Sequence, residues 1–163
     1  MPTIHLTTVV KGKKKIVFDL ARSIDMHVIS TEGTDEIPIA GRMEGLIEKG
    51  EYVTWRAKHL GFYQTLTARI TEMELYTYFT DEMEKGIFHS FRHTHYFEEK
   101  NGTTIMKDSF VYKAPLGLLG KLADVLFLKD YMEKFLSRRN MLIKKYAETE
   151  LWKNILDPRN YIQ

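Results

Sequence analysis

The chain has 163 residues, 44% of them hydrophobic and 12% aromatic, a composition that folds around a core and excludes a disordered chain. Lysine and arginine number 24 against 22 aspartates and glutamates, a net charge of +2 that demands neither nucleic acid nor an anionic membrane as partner. There is no cysteine, which excludes disulfides, iron–sulfur clusters and thiol catalysis.

The N-terminal MPTIHLTTVV lacks the charged-then-apolar pattern of a signal peptide, and no apolar run is long enough to span a bilayer. The expectation is one cytoplasmic domain over residues 1–163, without linker or repeat. Ile4 to Val10 reads as a first strand. The run KGKKK, Lys11 to Lys15, reads as a solvated connection, since lysines oppose the dipole at a helix start. Ile16, Val17, Phe18, Leu20 and Ala21 suggest a short helix, and Ile24 to Ile29 a second.

From Ile37 to about Lys113 the period is two, which marks strands with one dry and one wet face. Val53, Trp55, Ala57 and His59 alternate with polar residues, as do Gln64, Leu66, Ala68 and Ile70. Turn signals at Lys49-Gly50, Leu60-Gly61, Lys85-Gly86 and Asn101-Gly102 divide this region into about six strands, seven with the first. After Pro115 the period becomes helical. Leu119, Leu122, Leu126, Leu128, Met132, Phe135, Arg139, Leu142 and Tyr146 predict one long amphipathic helix over roughly 118–148. The tail is expected to pack outside it through Leu151, Trp152 and Ile155. The fold class is therefore α+β: a curved antiparallel sheet around a long C-terminal helix, with two short helices after the first strand.

Turn chemistry sets the pairing. Asn101-Gly102 as a two-residue turn places Phe97 opposite Met106, His95 opposite Asp108, His93 opposite Phe110 and Phe91 opposite Tyr112. Leu60-Gly61 places Trp55 opposite Leu66 and Ala57 opposite Gln64. A three-residue loop Glu84-Lys85-Gly86 places Met83 opposite Ile87, Asp81 opposite His89 and Phe79 opposite Phe91. One face then carries these aromatics together with His59, Gln64, Asp81, His89, His93, His95, Asp108 and Tyr112. Buried polar groups need partners. His95–Asp108 and His89–Asp81 supply two pairs, while His59, Gln64, His93 and Tyr112 are left for water, one another or a ligand.

Three stretches resemble the START and pollen-allergen superfamily, also called SRPBCC, and its bacterial ligand-binding or cyclase/dehydrase-like branch. They are GEYVTWRAKHLG (Gly50 to Gly61), FTDEMEKGIFHSFRHTHYF (Phe79 to Phe97) and GTTIMKDSFVYKAPLGLLG (Gly102 to Gly120). The resemblance covers most of the chain except the last dozen residues. It implies the helix-grip fold and a cavity between sheet and helix. Members bind lipids, sterols, polyketides or plant hormones, and some are cyclases. It carries no catalytic set onto these positions.

The histidines of FRHTHYF, Phe91 to Phe97, admit three readings: satisfied structural groups, a patch that orients a ligand, or a metal site with Asp108. No fourth metal ligand is evident, so no metal and no cofactor is expected. The resulting expectation is a protein that binds an apolar or amphipathic molecule. Trp55, Leu66, Phe91, Phe110, Leu119, Leu122 and Leu126 supply apolar wall, and His59, Gln64, His93 and Tyr112 orient the polar end. Two alternatives stay open. One is a cyclase, dehydratase or isomerase using His93 or His95 as a base oriented by Asp108. The other is a protein-interaction module with a filled cavity. Tyr52, Tyr76, Tyr78 and Tyr96 offer a contact for a homo-oligomer.

Overall fold

The computed structural model describes residues 1–59, 61–114 and 127–161. Seven strands are present: β1 (Thr3–Val10), β2 (Ile37–Gly41), β3 (Tyr52–His59), β4 (Phe62–Glu74), β5 (Tyr78–Lys85), β6 (Ser90–Lys100) and β7 (Thr103–Lys113). They form one antiparallel sheet in the order β1-β7-β6-β5-β4-β3-β2. Register shifts within β4, at Thr67/Ala68 and Ile70/Glu72, are the kind of irregularity that bends a strand and curves a sheet. Two helices, α1 (Lys14–Ala21) and α2 (Ile24–Ser30), follow β1, and α3 (Lys129–Ala147) follows the sheet. Among the described residues, no helix is long and apolar enough to cross a membrane.

Local chemistry explains most boundaries. Asn101 (φ 53°) and Gly102 (φ 72°) both adopt left-handed backbone, as the tightest hairpin turn requires. The expected β6–β7 register holds along its whole length, from Lys100 opposite Thr103 to Phe91 opposite Tyr112. The β3–β4 register holds equally. Ser23 caps α2, its hydroxyl accepting from the Met26 amide at 3.1 Å. The lysine run is not wholly a loop: α1 begins at Lys14, without a side-chain cap. Lys14 and Lys15 therefore belong to the helix, whose inward face, Val17, Phe18, Leu20 and Ala21, is buried.

The β5–β6 hairpin corrects the expected pairing. Phe79 faces His95, Asp81 faces His93 and Glu82 faces Arg92. The register is displaced by four residues from the three-residue-loop reading, because residues 86–89 form a bend outside both strands. An even displacement keeps every side chain on its own face, so alternation alone could not detect it. The longer connection lets Phe88 fold edge-on against Phe91, Phe110 and Tyr112.

On the wet face, Arg92 bridges Glu82 and Glu72 at 2.8 Å each, Arg69 pairs with Glu84, and Lys107 reaches Glu98 at 2.8 Å. Such exposed pairs each add little to stability. On the dry face there are two clusters. One gathers Phe18, Phe79, Phe97, Met106 and Ile143 with α1, α2 and the tail. The other gathers Phe91, Phe110, Tyr112 and Leu136, with Leu66, Met132 and Phe135 partly covered.

The tail does not pack outside as expected. Trp152, Leu156 and Tyr161 are buried in the first cluster, and the Tyr161 hydroxyl donates to Asp19 Oδ2 at 2.6 Å. The predicted helix start near 118, and Leu119, Leu122 and Leu126, lie outside the described residues. The buried stripe of α3 is Leu136, Arg139, Asn140, Ile143 and Ala147. Leu142 and Tyr146, expected on that stripe, are half-buried beside it.

Candidate functional site

Between the second cluster and α3 lies a cavity of about 200 Å³. Its wall is built by alternation on β3, β4, β6 and β7, which send Trp55, Ala57, Leu66, Ala68, Phe91 and Phe110 inward. From α3 it receives Tyr131, Met132, Phe135 and Leu136, with Leu128 just before the helix. The polar lining consists of His27, Glu36, His59, Gln64, Thr65, Asp81 and His93. A smaller recess of about 100 Å³ shares Trp55, Asp81, His93, Phe135 and Leu136 with it and ends at His95, Ser23 and Arg139.

Of the residues expected at the site, Trp55, His59, Gln64, Leu66, Asp81, Phe91, His93 and Phe110 therefore line the cavity, and His95 borders the recess. Asp108 and Tyr112 are fully buried among the groups behind the wall. His89 is not at the site. It sits exposed in the bend 86–89, so the expected His89–Asp81 pair does not form. Asp81 instead meets His95, whose Nε2 is 3.1 Å from Asp81 Oδ1. The expectation that His93 lacks a protein partner also fails, since its Nε2 is 3.0 Å from Asp108 Oδ1.

These contacts make one network across β5, β6, β7 and α3. His95 Nδ1 lies 2.8 Å from the same Asp108 oxygen that His93 uses, but it is not aligned to donate a hydrogen bond. Asn140 on α3 donates to Asp108 Oδ2 at 2.6 Å. The two rings lie 3.8 Å apart, centroid to centroid, and His95 stacks on Phe79 at 4.3 Å. The expected cross-strand closeness of His95 and Asp108 is thus present, with Asp108 serving both histidines.

The two imidazoles are driven in opposite directions. Burial, reinforced by His95, pushes the His93 pKa down and favours its neutral form. Burial also acts to lower His95, but the carboxylates of Asp108 and Asp81 outweigh it and raise its pKa. Burial would raise Asp108, yet the two imidazoles hold it well below the usual carboxylate range. Asp81 is lowered on balance in the same way, chiefly by His95.

Four contributors were missed on reading the sequence. Glu36 directly precedes β2 and follows Asp35, whose left-handed backbone (φ 50°) redirects the chain. It is only 6% exposed, with Oε1 3.1 Å from His27 Nε2. His27 stacks on Trp55 at 4.1 Å. Tyr131 bonds His59 Nδ1 through its hydroxyl at 2.7 Å. Asn140 was missed as well, while Arg139 was placed on the helix stripe without a role. Arg139 is 6% exposed and donates from Nη2 to Ala21 O at 2.7 Å, leaving Nη1 without a partner among the described residues. The legible signal was the adjacent polar pair Arg139-Asn140 inside an apolar stripe, which a buried polar network on the facing sheet explains.

Nitrogen or oxygen atoms of Asp81, His93 and His95 lie within 4.8 Å of one another, a spacing that could hold a metal ion. His93 and His95 each already use Nε2 in a hydrogen bond, to Asp108 and to Asp81.

No protein-family model matches the sequence, and no curated protein matches it. Solved structures do match. The protein TTHA0849 from Thermus thermophilus has a TM-score of 0.69 at 14% identity, over 90% of this chain and 99% of that one. A START superfamily protein from Mycobacterium smegmatis has 0.68 at 9% identity, over 90% and 97%. Major latex-like protein 151 from Panax ginseng has 0.66 at 15% identity, over 91% and 98%. Sequence order, sheet topology and these neighbours agree: the chain has the helix-grip fold shared by START superfamily and pollen-allergen-like proteins.

Proposed function

We propose that this protein binds a compact apolar molecule with one polar end, in the cavity between the sheet and α3. The observation that carries the reading is the cavity wall itself: aromatic and aliphatic over most of its area, with convergent polar groups at Glu36, Asp81 and His93. That combination is typical of small-molecule sites. A cavity of about 200 Å³ suits a ring compound or short isoprenoid better than a long-chain lipid, since pockets for larger ligands run from about 300 Å³ upward. A void of this size also argues against the filled-cavity interaction module. A cytoplasmic location fits the reading, as does a role needing no cofactor or nucleic acid.

Mass spectrometry of small molecules extracted from gently purified protein, with a thermal-shift panel of ring compounds, isoprenoids and fatty acids, tests it. The reading expects a hit that raises the melting temperature of the wild type and not of Ala57→Phe, which fills the cavity. Equal shifts in both proteins would contradict it.

A second reading has one specific observation behind it. His93 borders the cavity, is driven toward its neutral form, and is oriented through Nε2 by Asp108. That is the arrangement of a general base, and it would serve a cyclase, dehydratase or isomerase. Conversion of a bound panel hit by the wild type, lost in His93→Gln while binding persists, would select this reading.

A further inference from the structure

Resting on that reading, we infer that the polar end of the ligand is a cation: the cavity takes a compact aromatic or alicyclic amine, held as its ammonium by Glu36 and Asp81. The starting point is Glu36. It is a buried carboxylate lining the cavity, and its Oε2 accepts no hydrogen bond from any described residue. Its Oε1 lies near His27 Nε2, but that nitrogen is not aligned to donate. A buried carboxylate oxygen without a donor is costly, and a ligand N–H supplies what is missing.

The surrounding charges point the same way. Glu36, Asp81 and Asp108 place three carboxylates around one guanidinium, that of Arg139, with the imidazoles of His27, His93 and His95 beside them. With His95 the one charged imidazole, three carboxylates face two cations. A ligand carboxylate in the main cavity would face Glu36 and Asp81, whereas Arg139 borders the recess. The wall adds to the preference for a cation, because Tyr131 and Phe135 are among the aromatic residues that line it. Among the described residues the cavity lining contains neither lysine nor arginine.

Four probes with one common body separate the possibilities: phenethylamine, phenethyl alcohol, phenylacetate and ethylbenzene, measured by calorimetry on the full chain. Phenethylamine is expected to bind about tenfold more tightly than the alcohol, with phenylacetate weakest. In Glu36→Gln, whose folding is checked by its melting curve, the amine is expected to fall to the level of the alcohol and ethylbenzene to stay unchanged. The wild-type series decides the matter even without the variant. An amine no tighter than the alcohol, or phenylacetate tightest, overturns the inference. If ethylbenzene binds but the amine gains nothing over it, the head-group assignment falls and the cavity reading stands. If none of the four binds, both fall.

Discussion

Phe79 and Phe97 at one end of the concave face, and Phe91 and Phe110 at the other, come from neighbouring strands with the same alternation, yet they meet different partners. The first pair is packed against Phe18 of α1 at 5.5 and 5.1 Å and closed in by α2 and the tail. The second pair faces the start of α3 across open space. The pattern of a strand decides that a face will be covered; what covers it decides whether the result is core or cavity. The His93–His95–Asp81–Asp108 network lies at the boundary, tied to α3 through Asn140.

Removing the hub of that boundary should have the largest effect. Asp108→Ala strips the acceptor from His93 and Asn140 and the neighbouring carboxylate from His95, and should cost about 3–5 kcal/mol in urea unfolding, the range for breaking a buried charge pair. A cost near that of a surface mutation would mean that the boundary is not held this way. Next comes the contrast between the halves. Phe18→Ala in the filled half should cost about 4 kcal/mol, whereas Phe91→Ala, beside an existing void, should cost about 2 kcal/mol. Equal costs in matched unfolding curves would erase the distinction.

The two histidines sharpen it through pH. His95 has a raised folded pKa, so its contribution is complete below the unfolded value of about 6.5 and is lost as pH rises through the folded value. His93 has a lowered one, so its contribution is present above about 6.5 and lost as pH falls. Asp108, lowered further, loses its contribution only in acid, as pH falls through its depressed value. Imidazole resonances followed by NMR should therefore titrate on opposite sides of 6.5, His95 above and His93 below; the same order reversed would refute the partner assignment. The smallest effect on stability is expected from Ala57→Phe, within about 1 kcal/mol, because the added ring enters space that is already open.

Much of this architecture was legible in the sequence. The change of period after Pro115 marked the passage from sheet to helix, and Asn101-Gly102 fixed the β6–β7 register residue by residue, including His95 opposite Asp108. The β5–β6 pairing was not legible, because a displacement of four leaves the alternation intact and the Lys85-Gly86 signal marks a turn without setting its length. The site was legible on the strands, where period two assigns faces, and poorly legible elsewhere. Glu36 sits in an irregular segment beside Asp35, His27 on a short helix, and the tail among 3₁₀ turns, where no periodicity tells inside from outside. Partners were the other gap: opposite positions on two strands do not reveal that Asp108 would reach His93 diagonally as well as His95.

The central claim, an open apolar site at one end of the concave face, is tested most directly by amide shift mapping of the isotope-labelled protein with saturating ethylbenzene. The account predicts perturbations centred on Trp55, Ala57, Leu66, Phe91 and Phe110, and silence around Phe18 and Met106 in the filled half. Perturbations confined to the exposed hairpin residues Phe62 and Tyr63, or none at all, would contradict it.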